Sequence, residues 1–235
     1  MSELSKHTAF YLSPPHTCAY HEDRSSSSLF MDPEVILDEQ GYSVLLQQGF
    51  RRSGNLVYRP HCENCHACIA VRIPVSQFKA TRAQKRTLKR NRDLVTYERP
   101  TKFNAEHFDL YQRYQHGRHR GGGMDDPDPG NYTRFLCTQH CQTVFIEFRA
   151  DNKLLAVAVT DYVSDALSAV YTFFDPDEAA RSLGTQAILW QIEHARELGL
   201  THLYLGYWIN DCQKMTYKTR FQPLELYTHD RWSQA

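Results

Sequence analysis

The sequence predicts an α/β (α+β) fold with a mixed, largely antiparallel sheet, preceded by a smaller cysteine-bearing unit. Three observations predict it. Three strand-like runs, residues 143–148, 154–163 and 167–174, follow one another with only "RADNK" and "SDA" between the first and second and the second and third, spacing that suits antiparallel hairpins. A helical pattern over 184–198 then leads to a further strand at 202–208, an order that returns the chain to the same sheet. Ahead of this lies a stretch with three cysteines in seven residues, Cys62, Cys65 and Cys68.

Taken in order, residues 1–78 read as a short-period unit. A turn-rich entry, "SPPHTCAYHEDRSSSS", is followed by a helix opened at Asp32-Pro33 and closed at Gly49. "FRRSGNLVYRP" reads as a hairpin around Ser53-Gly54-Asn55, and "CIAVRIPV" as a strand. Residues 79–102 form a linker whose first part, 80–92, is a basic helix. Residues 103–235 form the larger unit. It starts with helices over 104–116 and 131–139, with Asn104 and Asn131 as N-caps. The helix over 184–198 ends at Gly199.

Composition narrows the classes. Hydrophobic residues make up 41% of 235, enough for a packed core and too many for a disordered chain. No apolar run approaches the roughly 20 residues that span a bilayer. The N-terminus carries no secretory pattern, so a cytoplasmic protein without membrane association is expected. In that reducing setting clustered thiols suggest metal before disulfides. Thiolates two residues apart can meet one ion across a tight turn. Cys62, Cys65 and Cys68 would be joined by Cys18, with His21, His61 or His66 in reserve, around a structural zinc or an iron–sulfur cluster. Cys137, Cys141 and Cys212 read as ordinary core residues.

The 27 basic and 27 acidic residues cancel, but their distribution is uneven. Residues 79–92 hold Lys79, Arg82, Lys85, Arg86, Lys89, Arg90 and Arg92 with no acid. Arg82, Lys85, Arg86 and Lys89 fall at i, i+3, i+4 and i+7, one cationic stripe that suits a nucleic-acid backbone.

"FYLSPPHTCAY", "GFRRSGNLVYRPHCENCHACIAVRIPV", "KRTLKRNRDL", "FFDPDEAARSLGT" and "YLGYWINDCQKMTYK" together resemble the arginyl-tRNA–protein transferase superfamily, and the compact length resembles its bacterial leucyltransferase branch. The resemblance implies a GNAT-like C-terminal domain. It implies transfer of leucine from leucyl-tRNA to proteins that begin with Asp or Glu. Eukaryotic relatives show a C-x-x-C near Cys18; here His21 stands in the second place.

The implied reaction is aminolysis of an ester, which needs positioning, an oxyanion donor and a proton route more than a nucleophile. No G-x-S-x-G motif is present. Arg181, Ser182, Leu183, Gly184 and Thr185 precede or open a helix whose first N–H groups suit the tRNA 3′ end. They match only the first half of the Q/R-x-x-G-x-G/A loop of CoA-dependent enzymes, which favours a donor other than CoA. Tyr171 and Asp175 are the catalytic candidates, a phenol to donate a proton and a carboxylate to hold the α-ammonium. An acidic N-terminal side chain needs a fixed cation; Arg51, Arg52, Lys214 and Lys218 are the candidates, in a pocket where the two halves meet. Two competing classes are arginyl transfer by the same chemistry and a non-catalytic metal-stapled RNA-binding adaptor.

Overall fold

The structure is a computed structural model that describes residues 9–118 and 128–235. The basic segment 116–126, "HGRHRGGGMDD", whose glycines suit a hinge, lies largely outside the described residues. In chain order the elements are β1 (Phe10–Leu12), β2 (His16–Thr17), β3 (Ser25–Ser26), β4 (Ser28–Met31), α1 (Glu39–Gln47), β5 (Arg51–Ser53), β6 (Leu56–Pro60) and β7 (Ile69–Pro74). Next come α2 (Arg82–Arg90), β8 (Val95–Pro100), α3 (Ala105–Arg118), α4 (Pro129–Leu136), β9 (Gln142–Ala150), β10 (Lys153–Val163) and β11 (Ala166–Phe174). A 3₁₀ turn, Pro176–Arg181, leads to α5 (Leu183–Glu197) and β12 (His202–Trp208). A second 3₁₀ segment, Gln213–Arg220, precedes the hairpin β13 (Glu225–Thr228) and β14 (Arg231–Gln234).

Among the described residues the main sheet has eight strands in the order β14-β13-β7-β12-β11-β10-β9-β8. Every pairing is antiparallel except β11 with β12. The expected mixed, largely antiparallel α/β sheet is therefore present, with α5 as the crossover of its single parallel pair. A smaller sheet runs β1-β4-β6-β5. β7, from the cysteine-bearing segment, lies between β13 and β12, so the N-terminal stretch gives a strand to the main sheet.

The helices form where apolar faces have somewhere to go. α5 lays Ile188, Leu189, Ile192 and Ala195 on Val71, Ile73, Leu203 and Leu205. α3 and α4 cover the other part of the sheet with Leu110, Tyr111, Tyr132 and Leu136 against Phe145, Val157 and Phe173. Each such side chain contributes about 1.5–3 kcal/mol on full burial. α2 is fixed by a capping box, with Gln84 N bonded to Thr81 Oγ1 and Thr81 N to Gln84 Oε1.

Two helix starts differ from expectation. α1 begins at Glu39, because Asp38 accepts from Gly41 N at 2.7 Å, while Asp32 is spent on a turn with Glu34 N. α4 begins at Pro129, because Asp128 accepts from Asn131 N and the proline takes the position that needs no N–H donor. Asn104 caps α3 as expected, accepting from Glu106 N and His107 N.

The β5–β6 hairpin is stapled to the main sheet through Arg52. Its Nε and Nη2 donate to Asp161 at 2.7 and 2.6 Å, and Thr143 and Tyr42 donate to the same carboxylate. Arg52 is 4% exposed and Asp161 is fully buried. This corrects the expectation for Arg52: its Nε and Nη2 edge is spent on a buried structural ion pair inside the core, so it does not face the cleft.

Candidate active site

β11 and β12 pair over three residues only, Ala166–Ser168 with His202–Tyr204. Beyond Ser168 and Tyr204 both strands continue, β11 beside β10 and β12 beside β7, and they part. A register shift sits next to the parting on each side. One falls between Val159 and Thr160 where β10 meets β11; the other falls between Tyr204 and Gly206 where β12 meets β7. Bulges bend a strand and increase its twist, so paired irregularities at one level open the sheet into a cleft. The cleft opens toward the carboxyl ends of two parallel strands, with the N-terminus of α5 beyond β11, a place where α/β sheets take ligands.

Arg51 sits at the base of the cleft. Its Nη2 donates to Ala169 O at 2.9 Å, while Nη1 is buried without a partner. Gly206, at φ +77°, makes room for it: a Cβ there would lie 2.7 Å from Arg51 Nη1. Lys218 is 7% exposed and donates through Nζ to Tyr207 O. Burial, then the charge of Arg51, draws its ammonium down to about 7, while Cys212 works the other way. Among the described residues neither cation forms an ion pair with a carboxylate. Tyr207 donates to Gly49 O and Tyr58 O, which closes the pocket from the hairpin side. Tyr217 is 42% exposed, yet its dense surroundings push its phenol up to about 12, as befits a ring on the wall of an open cleft. Its other neighbour is Tyr114 of α3, which meets Tyr171 edge to face.

The remaining candidates divide. Tyr171 lies on the cleft portion of β11, where its hydroxyl accepts from Gln115 Nε2 at 3.0 Å, and burial raises its pKa. Asp175 is 1% exposed. Burial works to raise it, but Lys153 at 3.0 Å, Asp177 N and Arg113 hold its carboxyl below the usual range. Asp175 is thus a clamp on the turn between β11 and α5, not a free carboxylate. Arg181 is likewise committed: its two Nη atoms meet Asp93 at 2.9 Å each, and its Nε meets Glu178. Arg181, a candidate for the tRNA 3′ end, is thereby tied to α2's end and to its own turn. Ser182 adopts φ 55° without a side-chain cap, Leu183 is buried, and Gly184 packs against Phe174. The first-turn N–H groups of Leu183, Gly184 and Thr185 therefore point out of the helix at the cleft end.

The basic helix is joined to both rims. Arg90 and Asn91 donate to the carbonyls of Ala180 and Arg181, and Gln84 donates to Arg220 O. Lys79, Arg82, Lys85, Arg86, Lys89, Arg90 and Arg92 are exposed, and among the described residues none pairs with an acid. Lys214 is exposed on the segment that carries Lys218.

Cys62 and Cys65 face each other across a tight turn. Arg24 donates to Cys65 Sγ at 3.7 Å, and Cys65 is lowered, first by the backbone N–H of Ala67 and then by Arg24. Cys68 is pushed up to about 12 by burial and then by Cys18, Cys62, Cys65 and Cys212. The four expected thiols are thus neighbours, and Cys212, read as a core residue, joins them. Among the described residues, however, no three His, Cys, Asp or Glu side chains stand close enough to hold an ion. This arrangement does not fit a resident metal, and no step below is routed through one.

The "Arginine-tRNA-protein transferase, C terminus" family model matches residues 106–228, and its N-terminal counterpart matches 16–86. The chain belongs to the arginine-tRNA-protein transferase family. Relatives within the family are aspartate/glutamate leucyltransferases. That of Hahella chejuensis is 52% identical over 223 residues, 95% of each chain. That of Pseudomonas fluorescens is 50% identical over 232 residues, 99% of this chain and 98% of its own. Among solved structures, FemX aligns with a TM-score of 0.48 at 8% identity, covering 87% of this chain and 81% of its own.

The two family segments meet at the pocket. Arg51, the thiols Cys18, Cys62, Cys65 and Cys68, and most of the basic helix lie in the N-terminal transferase segment; Tyr171, Gly206, Tyr217 and Lys218 lie in the C-terminal one. Gly206 and Tyr217 escaped the sequence reading. A glycine inside the strand "HLYLGYW" was the available signal, since glycine in a strand often marks a bulge or a close approach.

Proposed function

We propose that this chain transfers leucine from leucyl-tRNA to the α-amine of proteins whose first residue is Asp or Glu. The observation that carries the reading is the pair Arg51 and Lys218, a half-buried and a buried cation that among the described residues meet no carboxylate, at the base of the cleft between β11 and β12. The names of the relatives support the donor and the acceptor class.

In this reading the acceptor's acidic side chain enters between Arg51 Nη1 and Lys218 Nζ, which leaves its α-amine facing the mouth of the cleft. The neutral amine attacks the leucyl carbonyl, so that a C–N bond forms and the bond to the ribose oxygen breaks. An α-amine with pKa near ~8 is sufficiently neutral without a strong base. The first-turn N–H groups of α5 orient the anionic 3′ end of the tRNA. Tyr171, oriented by Gln115 and kept protonated by burial, gives its proton to the leaving ribose oxygen and regains one from the nitrogen that has attacked. Asp175 positions the turn through Arg113 and Lys153. The stripe of α2 follows the tRNA backbone.

The division of labour follows the chain: residues 1–78 supply the thiol group and Arg51, 79–102 the tRNA contact, and 103–235 the transfer cleft. Among the described residues no helix is long and apolar enough to cross a membrane. Charged tRNA is a cytoplasmic substrate, which supports a cytoplasmic location. The thiol group is read as a fastening of the N-terminal segment beside the pocket. The test is incubation with a peptide beginning with Asp and either leucyl-tRNA, arginyl-tRNA or acetyl-CoA. Leucine on the peptide α-amine is expected. Acylation from either other donor alone, or binding of tRNA without transfer, contradicts the reading.

A further inference from the structure

Lys218 and Arg51 meet the same stretch of β12, Lys218 at Tyr207 and Arg51 at Gly206, and the groups around Lys218 are few among the described residues. Arg51 faces it from β5, Cys212 from the loop after β12, the carbonyl of Tyr207 from β12, and the ring of Tyr217, 5.9 Å away, from its own segment. Behind Arg51 stand the phenols of Tyr58 and Tyr207, both raised by burial and so held neutral. No member of this set carries a negative side-chain carboxylate. Nη1 of Arg51 has no partner among the described residues, which leaves a donor beside Lys218 for an incoming acceptor.

Two like charges in a buried space repel, and the flexible ammonium is the one that can shed its proton, because a guanidinium does not. A carboxylate placed between them reverses the balance: it cancels the repulsion from Arg51 and favours the charged form of Lys218. Resting on the acceptor-pocket reading above, we propose that Lys218 is the specificity-determining residue for an acidic first side chain and that it engages this side chain together with one proton. The step is balanced as Lys–NH₂ plus H⁺ from solvent plus –COO⁻ giving Lys–NH₃⁺ paired with –COO⁻. The empty pocket thereby avoids holding a buried ammonium beside the Arg51 guanidinium at neutral pH. An amide side chain of the same shape brings no counter-charge and does not draw the proton in.

The ammonium of Lys218 titrates near 7 in the empty pocket. Below that pH it is already charged and acceptor recognition is independent of pH. Above it, each bound acidic acceptor must recruit a proton. An aspartate side chain does not titrate in this range, and the α-amine, near ~8, is common to all acceptors and cancels in a ratio.

The experiment is leucine transfer from leucyl-tRNA to two peptides that differ only in a first residue of Asp or Asn, with kcat/KM measured for both from pH 6.5 to 9. The Asp/Asn ratio is expected to be level below about 7 and to fall by up to tenfold per pH unit above it. Lys218→Arg, whose charge is permanent, is expected to flatten the profile, and Lys218→Met to lower the ratio at every pH. A wild-type ratio constant across the range, with transfer to Asp retained, overturns the proton coupling and leaves the acceptor pocket standing; this arm decides even if the variants do not fold. A Lys218→Arg profile that falls like the wild type overturns it as well. Absence of transfer to the Asp peptide at every pH overturns the underlying functional reading instead.

Discussion

The guanidinium of Arg51 lies against the α-carbon of Gly206, so closely that a Cβ at that position would sit 2.7 Å from Nη1 and 2.8 Å from Cζ. One residue comes from a hairpin of the small sheet, the other from the strand that borders the cleft. Their contact brings the cation into the place where β11 and β12 part. Gly206→Ala should therefore displace Arg51 and reduce transfer to Asp peptides more than to Ala peptides. It also forces a side chain into φ +77°, a cost of about 1–2 kcal/mol. A crystal structure of the variant with Arg51 unmoved and selectivity intact would count against this.

Arg52 is assigned to stability. Removing one partner of a buried pair leaves the other uncompensated, so Arg52→Ala should lower unfolding free energy by about 3–5 kcal/mol. The double variant Arg52→Met, Asp161→Leu should lose less than the sum of the two single changes. Urea unfolding measures this, and additive losses would mean that the pair is not coupled.

Lys218 makes the opposite contribution. Its folded pKa is drawn down to about 7, below that of the unfolded chain. Folding must then expel a proton at intermediate pH, and the penalty is full below about 7 and fades as pH rises toward the unfolded value. Lys218→Met should stabilise the protein near pH 6.5 by up to about 4 kcal/mol, less ~1 kcal/mol for the lost bond to Tyr207 O. The gain should shrink between pH 7 and 9. A gain that grows with pH would show that the ammonium is not the destabilised form.

The exposed stripe of α2 lacks acidic partners, so Lys85→Glu with Arg86→Glu should weaken tRNA binding. The slope of log affinity against log salt should fall by about one to two, one unit for each lost phosphate contact. Unchanged affinity and slope would make the stripe a solvated face.

Much of this was legible in the chain because local chemistry and tertiary structure agree. The period of α5, its Gly199 stop and the spacing of β9, β10 and β11 specify the transfer half. The start of α1 was not, because Asp32 and Asp38 are both competent caps and only packing chooses between them. β8 went unread because, at the sheet edge, it presents mostly exposed side chains. At the site, two adjacent arginines are equivalent in sequence, but strand alternation points Arg52 into the core toward Asp161 and Arg51 toward the cleft. The parting of β11 and β12 has no local signature beyond Gly206. It arises from two bulges on different strand pairs, which only the assembled sheet brings level.

The central claim, that Arg51 and Lys218 receive the acidic side chain, is tested most directly with Arg51→Gln. The measurement is kcat/KM for leucine transfer to peptides beginning with Asp and with Ala, alongside hydrolysis of leucyl-tRNA by water. Loss of a charged hydrogen bond costs about 1.5–3 kcal/mol, so the Asp/Ala ratio should fall roughly 10- to 150-fold while hydrolysis continues. A folded variant whose Asp/Ala ratio equals that of the wild type would contradict the account.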